Sequence, residues 1–258
     1  MSADTFDTFD TSDAYESFAW KISRKRHASG KPEETPETPQ HSLRLGVFIS
    51  GSGSNLQALI DAIENKQLTE VEIALVVSNN ANAYGVQRAL KHNLPVIYLP
   101  WVRPAGAQFI APQKGGMSES EVKLTALLQL FKVDLIILAG WMRILSAAFL
   151  EQFPRQVINL HPALLPDDGT GHIHTTQDGT RIPVFRGLHA VKQALDAGVK
   201  VTGSTVHYVT PEVDAGPVIC REEVAIVPGD TEESLHERIK AVEHRLIVEA
   251  VRMCKSKI

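Results

Sequence analysis

Short apolar runs alternate with segments of helical periodicity along the chain from residue 43 onward. Runs rich in Val, Ile and Leu predict strands, and apolar residues spaced three or four positions apart predict amphipathic helices. The predicted strands are 43–50, 71–78, 95–100, 134–139, 157–160, 200–209 and 218–227. The predicted helices are 55–68, 83–93, 119–132, 144–153, 188–197 and 231–255. This alternation predicts an α/β fold: a mostly parallel twisted sheet with helices on both faces, and antiparallel strands after residue 200.

Two of the helices carry more specific expectations. In the helix 119–132, four apolar side chains are predicted to face the core. They are Val122, Leu127, Leu128 and Phe131. In the last helix, Asp230 followed by Glu233 is predicted to cap the N-terminus. The buried stripe of that helix is predicted to be Leu235, Ile239, Val242, Leu246 and Ala250.

Residues 167–184 interrupt the alternation of strands and helices. Asp178-Gly179 lies between two β-prone runs, a pattern typical of a tight hairpin turn. We therefore predict an inserted β-hairpin on the surface at about 167–184. Residues 101–116, rich in Pro and Gly, are predicted to form a surface loop.

Residues 1–41 differ from the rest in composition. They repeat Asp-Thr-Phe, carry a basic patch at 21–26 and end in a run of Pro and Glu. This composition predicts a disordered N-terminal extension, with partner binding by its aromatic residues as the alternative. The rest, 42–258, is predicted to be one domain, because a chain of 258 residues that is 43% hydrophobic can bury a sizeable core.

Charge and apolar content narrow the classes of partner. The net charge is −4 and no long run of Lys and Arg occurs, so we expect small-molecule substrates rather than nucleic acid, with a local nucleic-acid patch left open. No apolar run reaches the roughly 18 residues of a membrane span, and the N-terminus does not resemble a signal peptide. We expect a cytoplasmic protein without membrane attachment. Cys220 and Cys254 fit a reducing compartment as small apolar residues.

A Gly/Ser-rich turn joins the first strand to the first helix. Its sequence, Ser50 to Asn55, places backbone N–H groups at the positive end of a helix, which is an anion-binding arrangement. A dinucleotide site is less favoured, because Leu56 stands where a third glycine is expected. The Gly-Lys-Ser/Thr of a Walker motif is absent from the sequence. The turn therefore predicts a phosphate site, with a plain tight turn as the alternative.

Three polar residues form a candidate catalytic group. Asn159 and His161 are two apart on a predicted strand, so both side chains face the same side. Ligands of open α/β sheets bind at the carboxyl ends of strands, where His161 lies. An amide can stabilise an oxyanion, and a His near a carboxylate such as Asp214 can hold or relay a proton. A structural His and an ordinary turn Asp are the alternatives.

Metal and covalent chemistry are not favoured. His172 and His174 share a hairpin face, but no third ligand accompanies them at zinc-like spacing, so a solvated hairpin is the preferred interpretation. The sequence also lacks a Gly-x-Ser-x-Gly nucleophile turn, and Cys220 has no marked electropositive setting. We expect neither a metal nor a covalent nucleophile.

Four sequence segments resemble the phosphoribosylglycinamide formyltransferases, folate-dependent enzymes of purine biosynthesis in the formyltransferase superfamily. These segments are 49–56, 138–145, 158–166 and 206–219. The resemblance extends over about 43–258, with the motifs in the same order. It implies a Rossmann-like formyltransferase fold and formyl transfer from 10-formyltetrahydrofolate to the amine of 5-phosphoribosylglycinamide, by a monomer or homodimer without a metal.

The resemblance also implies roles for individual residues. The catalytic group would be Asn159, His161 and Asp214. The residues that bind phosphoribosylglycinamide would be Gly53, Ser54, Asn55 and Glu243. The folate site would comprise Met142, Arg143, Ile144, Leu145, Thr210, Pro211, Glu212, Val213 and Asp214.

Two features depart from the family pattern. Residues 167–184 intervene where the family passes almost directly from Leu-Leu-Pro to an aromatic-Pro-Gly, and the motif resumes here as Phe185-Arg186-Gly187. So close to the predicted active site, this insertion is placed to act as a lid or to alter access. Met117 stands where an Arg that contacts folate is often found, so this chain departs from the family pattern at that position.

Related enzymes give the alternatives. Arg186-Gly187 is similar to methionyl-tRNA formyltransferases. Gly198-Val199-Lys200 together with His207-Tyr208 is similar to formyltetrahydrofolate hydrolases, and both families share the Asn, His and Asp group. The former normally carry a C-terminal RNA-binding domain and the latter an N-terminal regulatory domain, neither of which we expect here. The predicted phosphate site favours the glycinamide substrate. A non-catalytic folate- or nucleotide-binding module is a third alternative, which the intact catalytic group disfavours.

Overall fold

The strands and helices follow the predicted alternation. The computed structural model describes residues 42–101 and 116–256. Their strands are β1 (Leu43–Ile49), β2 (Val71–Ser78), β3 (Val96–Tyr98), β4 (Leu135–Leu138), β5 (Val157–His161), β6 (Ile173–Thr175), β7 (Arg181–Pro183), β8 (Val201–Tyr208) and β9 (Val218–Ala225). Their helices are α1 (Ser54–Glu64), α2 (Tyr84–Lys91), α3 (Glu119–Leu130), α4 (Ala147–Gln152), α5 (Ala190–Asp196) and α6 (Glu232–Lys255). The predictions for residues 1–41 and for 102–115 lie outside the described residues.

The predicted sheet is confirmed. Seven of the described strands form it in the order β3-β2-β1-β4-β5-β8-β9. The strands from β3 to β5 pair in parallel, whereas β8 pairs antiparallel with both β5 and β9. Because β1, β4 and β5 are parallel neighbours, the loops that follow them lie along one edge of the sheet.

Strand β1 illustrates how helices cover both faces of the sheet. Leu45, Val47 and Ile49 pack with buried residues of α1 and α6. Phe48 points the other way and packs with buried residues of α3 and α4, as alternate strand residues must. The whole of β4 is buried, as predicted for a strand covered on both sides.

The predicted inner side of α3 is wrong at Val122, which is 52% exposed. Leu124 and Leu128 are fully buried, while Leu127 and Phe131 are half-buried. Leu124 lies one turn before Leu128 on the same face. Val122 lies six residues before Leu128 and therefore about 120° around the helix.

The predicted stripe of α6 is buried at every position, but the predicted cap is wrong. Thr231 is the N-cap: its hydroxyl accepts from Ser234 N–H at 3.2 Å, and the Ser234 hydroxyl accepts from Thr231 N–H at 3.0 Å. Asp230, one residue earlier, pairs with Arg238 and accepts from the Ser234 hydroxyl. A reciprocal Thr–Ser capping box thus replaces the expected Asp–Glu pair.

The insertion forms the predicted antiparallel hairpin from β6 and β7. Its turn places Gly179 at a φ of 84°, a conformation that favours glycine. The expectation of a solvated hairpin holds for His172, which is exposed, but not for His174, which is 4% exposed. Gln177 N–H donates to Glu223 Oε1 at 2.6 Å, so the inner face of the hairpin lies against β9.

No helix in the described part of the chain combines the length and apolar character that crossing a membrane requires.

Candidate active site

Strand β5 delivers two of the predicted catalytic residues to the carboxyl edge of the sheet. Asn159 and His161 are two apart on β5 and so face the same side. Asn159 pairs in register with His207 on the antiparallel neighbour β8. Their side chains meet across the pair, with Asn159 Nδ2 3.4 Å from His207 Nε2.

The loop between β8 and β9 supplies the third predicted residue, Asp214. One carboxylate oxygen, Oδ2, lies 3.2 Å from His161 Nδ1 and accepts from Gly187 N–H at 2.8 Å. The other, Oδ1, lies 3.6 Å from His207 Nε2. The predicted group Asn159, His161 and Asp214 is therefore assembled, although its members come from segments some fifty residues apart in the sequence.

Asp214 is an ionised carboxylate in a buried setting. Burial alone would raise its pKa, but the neighbouring His207 and His161 rings and the N–H of Gly187 lower the pKa to about 2. Asp214 is only 8% exposed, so these partners replace the water that would otherwise solvate the charge.

His161 has an acceptor at each ring nitrogen. Nδ1 faces Asp214, and Nε2–H donates to the Phe185 carbonyl at 2.7 Å. Burial lowers the pKa of His161 from its ordinary value, whereas Asp214 and the Phe185 carbonyl raise it by a smaller amount. Asp214 and the Phe185 carbonyl thus partly offset the effect of burial and fix the orientation of the ring.

His207 is a member of this centre that sequence reasoning missed. It is 2% exposed, and its Nδ1–H donates to the Tyr208 carbonyl at 2.9 Å, which directs Nε2 toward Asn159 and Asp214. A polar residue at a buried position of the β8 strand was the available signal. Its meaning depended on the β5–β8 register, which the sequence does not give.

The glycine turn lies at the start of α1, and its conformation suits an anion. Gly53 is the N-cap residue, with a φ of 67°, and no described side chain caps the helix. The first N–H groups of α1 are therefore available to a ligand. Asn55 Nδ2–H donates to Glu243 Oε2 at 3.0 Å, so the predicted glycinamide-binding residues of the turn and of α6 meet.

Helix α2 holds the glycine turn in place. A Cβ on Gly53 would lie 2.6 Å from Gly85 Cα, so the two backbones touch, and Gly85 N–H donates to the Gly51 carbonyl at 3.0 Å. Arg88 Nε–H donates to the Ser52 carbonyl at 3.0 Å. Arg88 is a second residue that sequence reasoning missed, and it adds a positive charge beside the predicted phosphate site.

A third residue missed by sequence reasoning is His244, which follows Glu243 on α6. Its pKa is lowered by burial and by the nearby charges of Lys240 and Arg88, while Glu243 raises it. Its Nε2 is buried and has no hydrogen-bond partner among the described residues. A polar atom of this kind is typical of a site that is completed by a ligand.

The predicted folate residues lie in two loops, one after β4 and one between β8 and β9, and their side chains differ in exposure. Met142 is 60% exposed, Ile144 37% and Val213 43%, so these three offer apolar surface. Leu145, at 3%, belongs to the core instead. Of the other predicted residues, Pro211 and Glu212 are exposed and Arg143 and Thr210 are half-buried.

Two contacts tie the first of these loops to its surroundings. Met142 N–H donates to the Ser50 hydroxyl at 3.0 Å, which joins the loop to the glycine turn. The buried Glu121 carboxylate accepts from Ser146 N–H at 2.6 Å, where α4 begins three residues later than predicted. Met117, the residue in place of the usual Arg, is half-buried and accepts from the Thr125 hydroxyl at 3.7 Å.

Metal ligands and reactive cysteines do not gather within the described residues. No group of three His, Cys, Asp or Glu side chains there could hold a metal ion. Cys220 and Cys254 form no disulfide, and burial raises the pKa of Cys220 to about 12, which keeps its thiol protonated.

An open, mostly parallel α/β sheet with Asn, His and Asp side chains meeting at the carboxyl end of a strand is the arrangement of an α/β enzyme's active site. The chain belongs to the formyl transferase family, whose model, described as Formyl transferase, matches residues 43–251.

Known proteins with similar sequences and structures agree with this family. The trifunctional purine biosynthetic protein adenosine-3 of Gallus gallus is 38% identical over 235 residues, which cover 91% of this chain and 20% of that relative. The Homo sapiens protein of the same name is 35% identical and is covered over 18% of its length. This chain thus spans about a fifth of these relatives.

Solved structures of similar length match more completely. The glycinamide ribonucleotide transformylase 1 of Symbiobacterium toebii is 38% identical, with a TM-score of 0.68, covering 86% of this chain and 92% of that one. The phosphoribosylglycinamide formyltransferase of Bacillus halodurans is 36% identical, with a TM-score of 0.67 and coverage of 83% and 96%.

Proposed function

We propose that this protein transfers the formyl group of 10-formyltetrahydrofolate to the amine of 5-phosphoribosylglycinamide, giving formylglycinamide ribonucleotide and tetrahydrofolate in purine biosynthesis. The observation that carries the proposal is the meeting of Asn159, His161 and Asp214 at the sheet edge where the uncapped helix α1 begins. Structures named for this activity match over more than nine-tenths of their length.

The glycine turn and α6 suit the phosphoribosylglycinamide substrate. Backbone N–H groups of Gly53, Ser54 and Asn55 at the α1 N-terminus bind its phosphate, since a helix start favours anions. Glu243, held by Asn55 at 3.0 Å, offers a carboxylate to the polar glycinamide end. The substrate's phosphate thus lies at the glycine turn, and its glycinamide end lies beside Glu243 on α6.

The loops at 142–145 and 210–214 suit the folate substrate. The exposed side chains of Met142, Ile144 and Val213 provide apolar contact for a flat pterin ring, and pockets for such rings are mostly apolar with a few polar groups. Arg143 and Thr210 supply polar groups nearby. Leu145 supports this loop from the core rather than by touching the ligand.

Charge development on the formyl oxygen determines the catalytic roles. The substrate amine forms a bond to the formyl carbon, the bond from that carbon to folate N10 breaks, and the amine proton moves to the departing nitrogen. Asn159 Nδ2–H and His161 Nε2–H donate to the formyl oxygen, where negative charge develops. Asp214, ionised at any working pH, stabilises the proton on His161 during this transfer.

His161 must exchange one partner to do this. In the free protein its Nε2–H donates to the Phe185 carbonyl, so the formyl oxygen takes the place of that carbonyl when the substrates bind. The Nδ1–Asp214 contact is retained and keeps the ring oriented.

We propose a cytoplasmic monomer or homodimer without nucleic-acid or metal partners. Cys220 and Cys254, which form no disulfide, fit a reducing compartment. Cell fractionation checks the location, and recovery in the membrane fraction would contradict a cytoplasmic protein. Sedimentation analysis checks the number of subunits.

Tetrahydrofolate formation tests the reaction. The protein is incubated with 10-formyltetrahydrofolate in the presence and in the absence of 5-phosphoribosylglycinamide, and we expect turnover only when the acceptor is present. Turnover without the acceptor would identify a hydrolase instead, and no turnover in either mixture would indicate a non-catalytic binding module.

A further inference from the structure

The insertion enters beside the loop that carries Asp214. Gly169, near the start of the insertion, has a φ of 78°, and a Cβ there would overlap the Gly216 carbonyl and lie 2.5 Å from Ala215 O. Val218 N–H donates to the Asp167 carbonyl at 3.1 Å. Backbone therefore packs directly on backbone, and only glycine fits at residue 169.

Arg186, just after the insertion, links the same segments. Its Nε–H donates to the Asp214 carbonyl at 2.9 Å. Its Nη2 donates to the Gly169 carbonyl at 2.6 Å and to the Gly171 carbonyl at 2.9 Å. A guanidinium presents several N–H groups in one plane, so a single side chain joins three carbonyls from two segments.

Asp214 depends on such support. Its φ is 49°, a left-handed conformation that is uncommon for residues other than glycine. Arg186 holds its carbonyl, and the next residue, Gly187, donates its N–H to the Asp214 carboxylate at 2.8 Å. Residues 186 and 187 thus fix both the backbone and the side chain of Asp214.

We propose that residues 167–171 together with Arg186 form a brace, which holds Asp214 in the orientation that faces His161 and His207. Arg186 is then a positioning residue. The first residues of the insertion, 167–171, support the catalytic group, and the insertion does not act as a lid over it. The consequence for turnover rests on the proposed formyl transfer.

Substitution of Arg186 tests the brace. In Arg186→Met the three hydrogen bonds are lost, and we expect kcat to fall about 10- to 100-fold, with KM for both substrates within about threefold, because small displacements of catalytic groups act mainly on the rate. Arg186→Lys keeps the charge but not the planar set of donors, and kcat should stay low. Arg181→Met, at an exposed position of β7, is the matched control and should match wild type.

Titration of Asp214 by carbon NMR gives a readout that needs no turnover. Its pKa is about 2 in the intact protein, and in Arg186→Met it should rise toward 3.8 because the carboxylate moves away from Gly187 N–H and the two His rings. Inactive wild-type protein would refute the proposed function, while this titration would still test the brace.

Three results would overturn the brace: wild-type kcat in Arg186→Met, full rescue by Arg186→Lys, or an unchanged Asp214 pKa in a folded Arg186→Met protein. If circular dichroism shows Arg186→Met to be unfolded, Gly169→Ala replaces it, since its added Cβ pushes on the Ala215 carbonyl from the other side. A lowered kcat with a raised Asp214 pKa is again expected. Wild-type values of both would overturn the proposal.

Discussion

Asp214 is the residue on which the centre depends. Its carboxylate contacts both His161 and His207 and accepts from Gly187 N–H, while its side chain is nearly inaccessible to water. A buried charge is tolerated only with such partners, so each of them contributes to stability as well as to chemistry.

Stability should therefore depend on pH through Asp214. Its pKa is about 2 in the folded protein, below the ordinary value of 3.8, so ionised Asp214 stabilises the fold above about pH 4, and this contribution disappears as the pH falls toward 2. The shift corresponds to about 2 kcal/mol. Urea unfolding of wild type and of Asp214→Asn should differ by about this amount at pH 7 and by progressively less below pH 4. A difference that does not change with pH would contradict this assignment.

Among individual residues, the sequence predicted those whose chemistry is evident from their type and local spacing. Asn159 and His161 are two apart on one strand, and Asp214 lies in a turn with a recognisable motif. His207 and Arg186 were missed, because their roles arise from the β5–β8 register and from contacts with backbone carbonyls of the insertion. Local sequence contains neither kind of information.

The glycine turn and α1 form the element that the proposed phosphate site requires. Gly53 combines a positive φ with direct backbone contact to Gly85, while a Cβ on Gly51 would meet no described atom within 4 Å. The two glycines are thus chemically alike but structurally different.

Alanine substitution should separate them. Gly53→Ala forces the turn away from α2, so the N–H groups at the start of α1 no longer point at the phosphate. We expect KM for phosphoribosylglycinamide to rise at least about 10-fold, with KM for 10-formyltetrahydrofolate nearly unchanged. Gly51→Ala is the control and should keep both KM values. Steady-state kinetics with each substrate varied in turn measures this. Equal effects of the two substitutions would argue against a phosphate site at this turn.

Among the elements, periodicity predicted the existence and type of each described strand and helix, but some details were wrong. Val122 faces solvent because the angle from Leu128 places it off the buried face of α3. Thr231 rather than Asp230 caps α6, a choice between neighbouring cap-forming residues that their types alone do not decide. The buried inner face of the hairpin depends on contact with β9, which is distant in sequence.

For the whole molecule, the alternation of strands and helices predicted the mostly parallel sheet and the antiparallel strands after residue 200, whereas the strand order was not predicted. The division into an extension at 1–41 and a domain at 42–258 remains a prediction, supported by a family match that begins at residue 43. A chain that starts at residue 42 should keep the wild-type midpoint of thermal unfolding and kcat within about twofold, since no part of the proposed site precedes residue 50. A lower midpoint of thermal unfolding would show that residues 1–41 stabilise the domain, and a lower kcat would show that they contribute to catalysis.

The fate of a labelled formyl group tests the central claim most directly. With 10-formyltetrahydrofolate labelled in its formyl carbon, wild-type protein should place one label in formylglycinamide ribonucleotide for each tetrahydrofolate formed. His161→Ala and Asp214→Asn should lower this rate by about 10²- to 10⁴-fold while keeping the wild-type circular dichroism spectrum. Label released as formate, or transfer at a near wild-type rate in either folded variant, would contradict formyl transfer by this centre.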